Sequence, residues 1–164
     1  MDWTSVRAGD PIEPAVIGHR VWRYRLAPLT LLSFCLGVDQ VWSPFEPFQS
    51  DKEPNFEESV LIPANGTIGK MCHGVHAFRT LNELREGFRD LPGTMRYRDC
   101  GTPFDGVVRG TVMLWGICID CTRGYRAQYA RPASFDEAHG ERADEALERL
   151  RRLFGVNLEG RQCK

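Results

Sequence analysis

The chain has 164 residues, of which 42% are apolar and 26% charged, and its formal net charge is −1. That length buries a core without disulfide or metal staples, and that composition excludes a chain disordered throughout. The near-zero charge balance excludes a global electrostatic case for nucleic acid or an anionic membrane as partner.

One domain is expected at this length. The N-terminus lacks a basic region followed by an apolar stretch, so no targeting segment is expected. The most apolar window, 26–38, is interrupted by Pro28, Thr30 and Ser33. It falls short of the roughly 20 residues that span a bilayer. The reading is a soluble, cytoplasmic protein whose six cysteines are mostly reduced thiols.

Residues 1–18 mix Gly, Pro and charge without periodicity and predict a flexible arm, with Trp3 and Ile12 able to dock it. The domain proper is expected over 19–164. His19 to Ala27 predicts a strand with Trp22, Tyr24 and Leu26 on one face and Val21, Arg23 and Arg25 on the other, a core face and a solvated cationic face. Leu29 to Gly37 predicts its partner strand. From Val38 to Asn55, Pro44, Pro47 and Pro54 together with several acids predict a long surface loop, with Trp42 and Phe45 tucked against the core. A short strand is expected at Ser59 to Pro63, and a turn at Ala64 to Thr67.

Lys70 to Phe78 suggests another short strand, centred on Gly74 to Phe78. Thr80 and Glu83 have the spacing of a capping box, and Leu81, Leu84, Phe88 and Leu91 form a helical stripe that Pro92-Gly93 stops. A helix is therefore expected near 81–90. Val107 to Pro132 reads as a β-hairpin around a polar turn at Asp120 to Arg123. Its first strand carries Val108, Val112, Leu114 and Cys118 on one face and Met113, Trp115, Ile117 and Ile119 on the other, so both faces are expected to be covered. Gly110 and Gly116 share a face that a neighbouring element can approach. Pro132 is expected to end the return strand. Ser134 and Glu137 then have capping-box spacing, and a second helix is expected near 137–154, clearest from Glu141 to Phe154, with Ala143, Ala146, Leu147, Leu150 and Phe154 on its apolar face and Gly155 at its end. Val156 to Leu158 suggests a last short strand. The fold class is α+β: one twisted, mostly antiparallel sheet with two main helices.

Four groups bear on chemistry. Cys118-Ile-Asp-Cys121 is a C-x-x-C, and Cys72 and His76 have C-x3-H spacing, with His73 and Cys100 nearby. In an extended strand Cys118 and Cys121 point to opposite faces, so no zinc is expected; Cys72, His76, Cys118 and Cys121 are the residues that would supply one. No pattern marks Cys72 or Cys100 as a nucleophile beside His73 or His76. In Arg20 to Arg25 the aromatics alternate with the arginines, which argues against a nucleic-acid platform and leaves a local anion site on Arg23 and Arg25, joined by Arg123 and Arg126. The acidic segment Glu46 to Glu58 lacks calcium-loop spacing and reads as solvated. The surface nominated for a ligand is thus Arg23, Arg25, His73, His76, Asp120, Arg123 and Arg126.

The stretch Leu114-Trp115-Gly116, Gly124-Tyr125-Arg126-Ala127, Tyr129-Ala130 and Pro132 resembles a family of small actinobacterial and phage-associated proteins of unknown function. Trp22-Arg23, His73-Gly74-Val75-His76-Ala77 and Phe154-Gly155-Val156 extend the resemblance over about residues 20–158. This chain departs from that pattern at His73, where relatives carry Cys, and at Cys121, where they carry His. The order of elements is also similar to the ADP-ribosyltransferase core, whose cleft binds NAD. That likeness implies Arg23 or His19, Thr80 and a late acid as counterparts. Asp120 is the only acid near the expected place, and no Glu lies between Glu86 and Glu137. The leading expectation is a non-enzymatic binding or regulatory module, phage or mobile-element associated, with a protein partner. The alternative is a catalytically degenerate transferase-like protein with a nucleotide cleft of the NAD type.

Overall fold

The computed structural model describes residues 15–34, 40–50, 74–88, 92, 95, 103–121 and 123–158. Seven strands form one antiparallel sheet: β1 (Val16–Leu26), β2 (Leu29–Ser33), β3 (Val41–Trp42), β4 (Phe48–Gln49), β5 (Val75–Phe78), β6 (Gly106–Cys121) and β7 (Gly124–Gly140). Among the described residues two helices accompany them, α1 (Leu81–Phe88) and α2 (Ala143–Phe154). The α+β class expected from the sequence is the one observed.

The sheet closes on itself. β6 pairs with β1 along one edge and β7 along the other, and β5 pairs with β7 and, through His19 and Phe78, with β1. Beyond β5, the same edges of β1 and β7 carry β2–β3 and β4. The curvature this requires comes from the long hairpin β6–β7, whose register shifts between Arg109 and Gly110, between Thr111 and Val112, and between Trp115 and Cys118. Each shift is a bulge, and a bulge bends its strand and adds twist. At the last of them Gly116 takes a φ of +77°, which a side chain would strain.

The bulges explain where the sequence reading goes wrong. Pro132 does not end the return strand: it sits inside β7 opposite Val112, beside a register shift that accommodates its missing N–H. Ser134 and Glu137 do not open a helix. They lie in β7, where the Ser134 hydroxyl accepts from the Thr111 amide at 3.1 Å and Glu137 accepts from Arg109. The second helix therefore starts at Ala143, not near 137, and Arg142 in the left-handed region precedes it. Residues 156–158 are not a strand; Asn157 turns the chain at φ 54° so that its side-chain oxygen accepts from the Phe135 amide at 2.8 Å. Arg151 donates to the Phe135 carbonyl at 2.9 Å, so α2 and the turn that follows it together satisfy both backbone groups of Phe135.

Other expectations hold. Thr80 and Glu83 form the reciprocal capping box, each bond at 3.2 Å. Ala146, Leu150 and Phe154 are buried and Gly155 caps α2 in the left-handed region. The first strand begins earlier than expected, at Val16, so Val16 to Gly18 belong to the sheet and not to an arm. Residues 1–14, with Trp3 and Ile12, and the strand and turn expected over 59–67 lie outside the described residues. The hairpin turn is shorter than expected: Asp120 and Cys121 are still strand, and Cys121 pairs with Gly124.

The core inside the closed sheet is built around Trp22, which is fully buried. Its ring meets Trp42 edge-on at 5.6 Å and Phe135 at 5.5 Å. Phe135 meets Phe154 of α2 at 5.5 Å, and Trp42 stacks on Phe48 at 4.5 Å. A second, smaller cluster of Val21, Phe78, Leu84, Phe104 and Val107 covers the other face of the sheet at one end. Gly110 lies where β7 passes close against β6; an added Cβ would fall inside the radius of the Ser134 carbonyl oxygen. Both partners are paired backbone and cannot move aside. Gly110→Ala is expected to cost about 3 kcal/mol or more, read as a lowered urea midpoint. A midpoint within error of the parent would show that the β6–β7 crossing is looser than described.

Candidate functional site

The residues nominated from the sequence fall into separate places. Arg23 is not on a solvated face. It lies opposite Trp22, as alternation requires, but the second apolar cluster covers that face and leaves it 0% exposed. Its Nε donates to the Ser33 carbonyl at 2.9 Å, and its guanidinium lies 5.6 Å from the centre of the Phe104 ring. Arg25, one turn of the pleat further, donates to the Pro103 carbonyl at 2.9 Å. These two arginines tie β1 to the segment before β6.

His76 and Arg126 share one face of β5 and β7, whereas Asp120 pairs with Tyr125 on the other face, at the hairpin tip beside Arg123. His76 pairs with Arg126 across the strands, and both are buried. Arg20, on the inner face of β1, donates to the His76 carbonyl and to the Ser33 hydroxyl, the latter at 3.4 Å, with its guanidinium over Trp42. At the tip, Arg79 donates to the Asp120 carboxylate and, at 2.8 Å, to the Cys121 carbonyl, while lying over the Tyr125 ring. Arg123 pairs with Glu86 of α1 at 2.6 Å. This network fastens α1 to the hairpin. Thr80, a transferase counterpart by element order, spends its hydroxyl on the helix cap.

The chemistry of these groups is subdued. Burial, followed by the charges of Arg126 and Arg20, pushes His76 down to about 3. Its imidazole is therefore neutral, and Nε2 has no hydrogen-bond partner among the described residues. Burial raises both the Cys118 and the Cys121 thiols, so neither is a ready thiolate. Both are free, in one extended strand. Cys72 and His73 lie outside the described residues. Among the described residues no group of three His, Cys, Asp or Glu side chains is gathered as a metal would need, and no helix is long and apolar enough to cross a membrane.

The sequence reading missed a different feature. Trp42 is in the core, as expected, but Phe45 is not tucked in: it is 89% exposed. It sits in the turn between β3 and β4, within Ser43-Pro44-Phe45-Glu46-Pro47. The Ser43 hydroxyl accepts from the Phe45 amide at 3.1 Å. On either side of the turn, Trp42 and Phe48 stack, and the Trp42 indole donates to the Ser33 hydroxyl at 2.8 Å. β3 and β4 are not paired with each other; they diverge to β2 and β7, and the turn straps the two edges together. Val41, beside it, is 56% exposed. The two prolines bracketing Phe45 were the available signal. They read as loop breakers, though they also hold a turn rigid.

No protein-family model, curated protein or solved structure matches this chain.

The buried imidazole gives a pH test. In the fold His76 stays neutral down to about pH 3, whereas in the unfolded chain it takes a proton near 6.5. Below that value the unfolded chain binds a proton that the folded one refuses. Its contribution to stability is full above about pH 6.5 and is lost as the pH falls toward about 3. Between about pH 7.5 and pH 5 the loss amounts to roughly 2 kcal/mol. His19, also lowered chiefly by burial, adds in the same direction. His76→Gln is expected to flatten the urea midpoint against pH in this window. A slope unchanged from the parent would mean that the imidazole is not held neutral.

Proposed function

We propose that the protein is a non-enzymatic binding module that engages a protein partner through the β3–β4 turn, with Phe45 as the anchor. The observation that carries this reading is the 89% exposure of Phe45 on a turn fastened to the core at both ends. A large exposed aromatic held on a fixed backbone loses little conformational freedom on binding, and aromatic anchors of this kind dominate interface energetics. The rest of the chain supports the same reading by its economy. The described arginines at the hairpin tip are engaged in fastening the hairpin to α1 and the segment before it, and the two described cysteines are protonated thiols in a strand.

The test is a comparison of proteins that co-purify with the tagged parent and with Phe45→Ala from the native host. The expected result is at least one partner, recovered in stoichiometric amount with the parent, whose recovery falls about tenfold or more with the variant, as for a binding hot spot. Recovery of the same proteins in the same amounts by both would overturn the assignment of Phe45 as anchor.

A further inference from the structure

We draw no further inference here: the strongest candidate, the outer face of the closed sheet where Ile17 of β1 stands exposed opposite Met113 of β6, carries none because nothing in the structure shows what covers it.

Discussion

The contact on which the rest of the structure depends is that of Trp22 with the two rings beside it. Trp22 is fully buried and touches Trp42 on one side and Phe135 on the other. Through them it joins Phe48 and Phe154, so a column of five rings runs from α2 through the closed sheet to the β3–β4 turn. Each such pair contributes about 0.5–1.5 kcal/mol beyond the apolar area it buries. The column also sets geometry. It joins β1, β3, β4, β7 and α2, elements far apart in the chain, and reaches the β3–β4 turn at one of its ends.

Closing a sheet around such a column requires bent strands, and the β6–β7 hairpin supplies them through its register shifts. Bending leaves backbone groups to be satisfied, and α2 meets this need. Arg151 and Asn157 bond the carbonyl and the amide of Phe135, on the strand whose ring sits in the column. At the other end of the hairpin, Arg79 and Arg123 tie its tip to the strand and helix before it. Between these fastenings Tyr24 donates to the Glu141 carbonyl at 2.8 Å, and Asp105 accepts from the Leu26 amide at 2.7 Å. Cationic side chains act here mainly as structural ties, so the arginine-rich faces that drew attention in the sequence give up most of their appeal as ligand sites. Phe45 gains by contrast, because the frame leaves it outside.

How much of this the sequence discloses depends on how local the cause is. The Thr80–Glu83 cap, the stripe of Ala146, Leu150 and Phe154, and the Gly155 stop are set by neighbours within a few residues, and all were legible. The placement of Trp22 and Tyr24 toward the core followed from strand alternation. Alternation also placed Arg23 opposite Trp22, but it carries no information on whether a second layer covers that face, and Phe104 and Leu84 cover it. Ser134 and Glu137 match a helix cap in spacing yet lie in a strand, because β6 runs far enough to pair with them and long-range pairing overrides a local signal. Pro132 misled for the same reason, since a bulge tolerates a proline that a regular ladder does not. Phe45 was expected inside on hydrophobicity alone. The core positions on either side of the turn are taken by Trp42 and Phe48, and Phe45 between them is left exposed.

The central claim is that Trp42 belongs to the fold and Phe45, three residues on, does not. Urea denaturation of Trp42→Ala and Phe45→Ala against the parent tests it directly. Trp42→Ala is expected to lose about 3–5 kcal/mol, as for a large aromatic removed from a core. Phe45→Ala is expected to stay within about 0.5 kcal/mol of the parent, as for a surface change. A loss with Phe45→Ala comparable to that with Trp42→Ala would contradict the account, because it would mean that the ring is spent on folding and is not held out for a partner.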